Sequence, residues 1–238
     1  MNAYSNSNQN QTPILQETHP TKCRTELDQL HRSARNLTGC TALYGQRSTA
    51  QISNVLEALL EELLANPTEV TPSTLRTVSQ LVGIITEINQ IGTNPFAELT
   101  MLPPSILVVD DDTLSRELVC LSLEKAGLNS VSLGSAKTAI EVIGQNRFDL
   151  IFLDAIMPDH TGYEICEIIR QAPEHEDTPI IFVTGQYEFE DRALSSLCGS
   201  NDLLGKPFLP VELAAKALFH LFSRRLKIHR DNLVSSAA

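Results

Sequence analysis

The sequence predicts an α/β domain, a five-stranded doubly wound parallel sheet, preceded by an α-helical bundle. Three observations predict it. After residue 105, short apolar β-branched runs alternate five times with segments of helical periodicity, the pattern of a parallel sheet buried on both faces. The segment holding them, roughly 120 residues long, suits five strands with their crossovers. Before residue 93 the apolar residues recur instead at threes and fours, the helical period.

Taken in order, residues 1–22 are rich in Asn, Ser, Gln and Pro without periodicity and read as a disordered arm. Residues 23–92 carry three helical stripes. The first is narrow: Leu27, Leu30, Ala34, Leu37 and Thr41. The second is wider: Ile52, Val55, Leu56, Leu59, Leu60, Leu63 and Leu64, stopped by Pro67. The third starts with Thr71 as cap and Pro72 in its first turn, carries Leu75, Val78, Leu81, Val82, Ile85 and Ile88, and can close at Gly92. Three helices bury only part of these stripes, so a further layer is expected, supplied by a second copy of the chain. Residues 93–104 lie within a Pro-flanked segment and read as a linker.

Residues 105–226 form the α/β domain, and residues 227–238 a tail. Its strands read "ILVVD", "SVSL", "DLIFLD", "PIIFVT" and "DLL". Helical segments run up to Ala126, from Ala136 to Asn146, from Gly162 to Gln171, briefly after strand 4, and from Leu209 to about Arg225. The basic run "SRRLKIHR" at residues 223–230 suits a helix C-terminus.

Composition narrows the function. The formal net charge of −11 argues against general affinity for nucleic acid, and no DNA-binding motif follows the last helix. The expectation is a protein with no DNA-binding or enzymatic output domain and no nucleic-acid partner. Five cysteines, an odd number with no two sitting two or three residues apart, suggest neither a disulfide framework nor a zinc site and fit the reducing cytoplasm. No apolar run reaches membrane-spanning length, and the polar start is not a secretory signal.

In a doubly wound sheet the site lies at the carboxyl ends of the strands. There this sequence places Asp110, Asp111 and Asp112 after strand 1, Asp154 after strand 3, Thr184 and Gly185 after strand 4, and Lys206-Pro207-Phe208 after strand 5. Carboxylates converging on one edge repel and call for a cation, and hard oxygen donors suit Mg²⁺. With a metal, a lysine and a hydroxyl to neutralise phosphoryl oxygens, one carboxylate can act as nucleophile toward phosphorus.

These residues, over about 105–225, resemble the receiver domain of two-component response regulators. The resemblance implies that Asp154 is the phosphoacceptor, loaded by a sensor histidine kinase or phosphotransfer protein. It implies that Asp110 and Asp111 hold Mg²⁺, with Asp154 and the backbone carbonyl of Ile156. Thr184 binds a phosphoryl oxygen and moves on activation, Lys206 pairs with the phosphoryl group, and Pro207 follows a cis bond. Asp112 is assigned instead to capping the first helix of the domain. Leu203 occupies a switch position that is often aromatic in that family. Ile156, apolar two residues after the acceptor, is expected to shield the aspartyl phosphate and lengthen its life. Chemistry is limited to self-phosphorylation and autodephosphorylation, so the chain is not expected to be an enzyme in the ordinary sense.

The stretch "ARNLTGCTALYG" at residues 34–45 resembles the histidine phosphotransfer domain of chemotaxis kinases, with Gly39 and Gly45 retained, Arg35 in place of the phosphoacceptor His and Thr38 in place of Lys. A guanidinium has no free lone pair for phosphoryl relay, which implies an inert bundle used for homodimerisation or partner docking. His31, one turn earlier, is a weaker donor candidate. Two other readings are a non-phosphorylated scaffold and a Mg²⁺-dependent phosphatase with an Asp nucleophile. Leu114, where that phosphatase pattern needs Thr or Val, speaks against the second.

Overall fold

The computed structural model describes residues 20–43, 47–91, 103–158, 160–185 and 198–236. Helices α1 (Pro20–Leu43), α2 (Arg47–Ala65) and α3 (Pro72–Ile91) precede the sheet domain. In that domain β1 (Ile106–Val109), α4 (Thr113–Lys125), β2 (Ser130–Leu133), α5 (Ala136–Ile143), β3 (Leu150–Leu153), α6 (Gly162–Gln171), β4 (Ile180–Thr184), β5 (Asp202–Gly205) and α7 (Pro210–Ser236) follow one another. The strands lie in the order β2-β1-β3-β4-β5 with every pairing parallel, the expected doubly wound sheet. The short helix expected after β4, Gly45 and most of the linker fall outside the described residues, as does Gly92.

The strands alternate faces residue by residue. Ile106, Val108, Leu150, Phe152, Ile181, Val183 and Leu204 point to one core, beneath α4 and α7. Leu107, Val109, Ile151, Leu153, Ile180, Phe182 and Leu203 point to the other, beneath α5 and α6. Because both faces are covered, β1, β3 and β4 are buried throughout, and only the edge strand β2 is open to solvent.

The helical stripes find their partner in the same chain. Ile52, Leu56, Leu59 and Leu63 of α2 and Val78, Leu81, Ile85 and Ile88 of α3 share one continuous core with Leu218, Leu221, Phe222 and Leu226 of α7. Gln51 also donates from Nε2 to the carbonyl of Ala126 at 2.8 Å. The fourth layer expected from a second copy is therefore α7. An apolar stripe does not encode whether its partner lies on its own or another chain, so the reason for invoking a homodimer through these helices falls away.

Two boundaries differ from expectation. The first helix starts at Pro20, inside the expected arm, and α7 runs to Ser236, through the expected tail. The extension has a simple cause. Leu226 is wholly buried, so α7 keeps an apolar face beyond the sheet where α2 and α3 pack on it.

Candidate phosphoacceptor site

Each strand of the site ends in a device that aims a side chain. Beyond β1, Asp112 caps α4, its carboxylate accepting from the Ser115 N–H at 3.0 Å, as expected. This turn folds Asp110 inward, 2 % exposed. Asp110 Oδ1 accepts from the Asp112 N–H at 2.9 Å, and Oδ2 accepts from the Ser115 hydroxyl at 2.6 Å. Arg116 ties down the loop backbone, donating to the Asp110 carbonyl at 2.6 Å.

Beyond β3, the Ile156 N–H donates to Asp154 Oδ1 at 3.2 Å. The chain then returns to α6 through a reciprocal cap. Thr161 Oγ1 accepts from the Glu164 N–H at 3.3 Å, and Glu164 accepts from the Thr161 N–H at 2.9 Å. Gly162 opens the helix against Asp154 itself. A Cβ there would stand 2.1 Å from the Asp154 carbonyl oxygen, so only glycine lets α6 approach this closely.

Beyond β5, the Lys206–Pro207 bond is cis, as the receiver resemblance implied. The Lys206 N–H donates to the Thr184 carbonyl at 2.7 Å, tying the loop to the end of β4. Lys206 Nζ then reaches Asp154 Oδ2 at 2.7 Å and Asp110 Oδ2 at 2.8 Å. Thr184 is fully buried, and among the described residues nothing lies within 4 Å of where a Cβ on Gly185 would stand. Leu203 is 8 % exposed, in register with Phe182 and buried in the core beneath α6. Ile156, by contrast, is about half exposed at the rim.

The electrostatics follow from burial. Burial raises the pKa of Asp154, while the Lys206 ammonium and the Ile156 N–H pull it back; the net position is above the ordinary value. Burial alone lowers the pKa of Lys206, but its hydrogen bonds to Asp110 and Asp154 outweigh this and hold the ammonium charged. Asp110, Asp111 and Asp154 each offer one carboxylate oxygen, all within 4.8 Å of one another. Such a set of hard anionic donors fits Mg²⁺.

Residues 106–218 match the family model described as the response regulator receiver domain. These residues are a receiver domain. Similar proteins include the transcriptional regulatory protein YvrH of Bacillus subtilis (strain 168), 40% identical over 118 residues, 49% of this chain and 48% of that protein. The phosphate regulon transcriptional regulatory protein PhoB of Escherichia coli (strain K12) is 33% identical over 111 residues, 47% of this chain and 48% of that protein. A CheY-like receiver domain protein from Methanospirillum hungatei JF-1 is similar to the receiver in its solved structure, with 27% identity and a TM-score of 0.49 over 53% of this chain and 98% of that one. The chain spans about half the length of the curated relatives it matches.

These relatives correct one expectation. They are transcriptional regulators, and a further one, MtrA of Mycolicibacterium paratuberculosis (strain ATCC BAA-968 / K-10), is a DNA-binding response regulator. The expectation of no DNA-binding output and no nucleic-acid partner does not stand. It rested on a net charge of −11 summed over the chain and on the lack of a recognisable DNA-binding motif after the last helix. That sum mixes the acidic cluster at the strand ends with everything else and does not describe the surface through which an output acts. No described helix is long and apolar enough to cross a membrane.

Four of the expected site residues, Asp110, Asp111, Asp154 and Lys206, thus come together around one point, with Thr184 joined to them through the Lys206 backbone. Arg35 is elsewhere. It is exposed on α1, its Nε 3.8 Å from Glu57 of α2. His31, also on α1, lies 3.4 Å from Glu61. The receiver match begins at residue 106 and does not reach them. Sequence reasoning missed Gly162, Ser115 and Arg116. The first carried a signal, a glycine in the first turn of a helix where propensity alone disfavours it.

Proposed function

We propose that the receiver accepts a single phosphoryl group on Asp154 from the phosphohistidine of a sensor kinase or phosphotransfer protein. The single observation that carries this is the clustering of the Asp110, Asp111 and Asp154 carboxylates, two of which, Asp110 and Asp154, share the Lys206 ammonium.

In this reading the acceptor must be ionised to attack. Burial opposes ionisation, and Lys206 supplies the compensating charge. A carboxylate oxygen of Asp154 forms the new O–P bond as the N–P bond of the donor breaks, and the departing imidazole keeps the electron pair and takes up a proton. Asp110, Asp111 and Asp154, with the Ile156 carbonyl, would hold Mg²⁺, which supplies charge neutralisation for the phosphoryl oxygens. Lys206 and the Thr184 hydroxyl bind two of those oxygens, and Gly185, with no side chain, leaves room for the group. Water later hydrolyses the acyl phosphate, slowed by Ile156 at the rim. The downstream partner class expected from the relatives is transcriptional machinery, with nucleic acid among its components.

Incubation with acetyl phosphate and Mg²⁺ tests the reading. One phosphoryl addition by mass spectrometry, absent in Asp154→Ala, supports it. Label that persists in Asp154→Ala, or no label with either acetyl phosphate or a phosphorylated kinase, overturns it.

A further inference from the structure

The receiver match ends at residue 218 and says nothing of residues 20–91, yet these pack on the receiver along one helix. That helix, α7, begins four residues after Lys206. Its first turn carries Glu212, 4 % exposed, a position where a carboxyl group needs partners. The partners come from the helical region. Ser73 donates its hydroxyl to Glu212 Oε1 at 2.6 Å, and the Thr77 hydroxyl lies 3.4 Å from the same oxygen. One helical turn on, the wholly buried Lys216 holds both oxygens of Asp202, at the opposite end of β5 from Lys206. The start of α7 is therefore fastened to α3 on one side and to β5 on the other.

Beside the first of these fastenings lies room to move. A cavity of about 300 Å³ separates the first turn of α3 from the loop that follows β5, lined by Thr71, Ser73, Thr74, Lys206, Phe208 and Glu212. The Lys206 backbone is anchored to Thr184, but its ammonium now bridges two carboxylates. Phosphorylation of Asp154 replaces one of these carboxylate oxygens with a phosphoryl oxygen, and Lys206, following it in the reading above, has to shift its ammonium. The loop that must absorb the change is the one that borders the cavity and feeds directly into α7.

We propose that phosphorylation at Asp154 is reported to the N-terminal helices through this loop and the Glu212 contact with Ser73 and Thr77, making α3 the readout element of the receiver. The inference rests on the receiver reading and adds its regulation. Thermodynamic linkage makes the coupling reciprocal: whatever phosphorylation does to the contact, breaking the contact does to the affinity for the phosphoryl group.

The test uses the full chain. Amide hydrogen exchange of the first two turns of α3 is followed with and without beryllium fluoride plus Mg²⁺, a stable phosphoryl mimic, while acetyl phosphate labelling is scored separately. The expected result is a change in α3 exchange of about fivefold or more, lost in Glu212→Leu although Asp154 still labels. The same variant shifts the affinity for beryllium fluoride by the same factor. Paired Ser73→Ala and Thr77→Val substitutions break the contact from the other side, which covers a Glu212 variant that does not fold. Normal labelling with unchanged α3 exchange overturns the coupling and leaves the receiver reading intact. Absence of labelling and of mimic binding removes the receiver reading, and the coupling with it.

Discussion

Replacing Asp202 by Asn attacks the joint between β5 and α7. The Asp202 side chain is 4 % exposed, with both oxygens 2.9 Å from Lys216 Nζ and Oδ2 3.1 Å from His220 Nε2. Burial on its own raises its pKa, but the His220 hydrogen bond and the charge of Lys216 outweigh it and bring it from 3.8 to about 2. A folded-state pKa below the unfolded one contributes stability that is present above the unfolded value and lost as pH falls toward the folded one. At about 1.4 kcal/mol per pH unit, the interval is worth about 2.5 kcal/mol at neutral pH. The amide also leaves Lys216 buried without a counter-charge, so the expected loss is about 3–5 kcal/mol. Urea unfolding at pH 6 measures it. Repeating the titration at pH 5 and pH 3 adds the linkage signature, a gap between wild type and variant that shrinks by about 1 kcal/mol. A loss below about 1 kcal/mol at pH 6, or a gap indifferent to this pH change, would refute the assignment of the joint to charge pairing.

Three further outcomes are expected at the site. Gly162→Ala puts a methyl group 2.1 Å from the Asp154 carbonyl; thermal unfolding is expected to show a loss of about 1–3 kcal/mol, with slower acetyl phosphate labelling because the acceptor backbone must shift. Lys206→Ala removes the hydrogen bond and the charge that hold the Asp154 pKa down, so the pH at which labelling reaches half its maximum moves upward, read from labelling rates across a pH series. Ile156→Asn replaces the half-exposed apolar group at the rim with one that can hold water, and the half-life of the phosphorylated protein shortens, followed by loss of the phosphoryl mass after desalting into chelator.

Much of the receiver was legible because its signals are local. A buried parallel strand is a contiguous apolar run, and the site residues follow such runs directly, so Asp110, Asp154, Thr184 and Lys206 could be placed without knowing which strand neighbours which. Asp112 could be assigned to capping for the same reason, since a cap acts three residues away. The helical region was legible only as stripes. Its resemblance to a phosphotransfer bundle rested on Gly39, Gly45 and the order of the helices, and the structure describes neither the surroundings of Gly39 nor Gly45 at all.

The order of the elements, the α/β class and the chemistry available at the strand ends were determined by the sequence alone, because each depends on residues within a few positions of one another. Tertiary structure decided what lies far apart in the chain. Glu212, Lys216 and His220 sit at four-residue spacing on α7, and nothing local in the sequence says what they face; packing buries them against α3 and β5. Gly162 could be seen as unusual, but its reason, a carbonyl eight residues back pressed against the helix start, exists only once the loop has folded. Hydrophobic periodicity states that a face must be covered; which surface covers it is settled by the geometry of the whole chain.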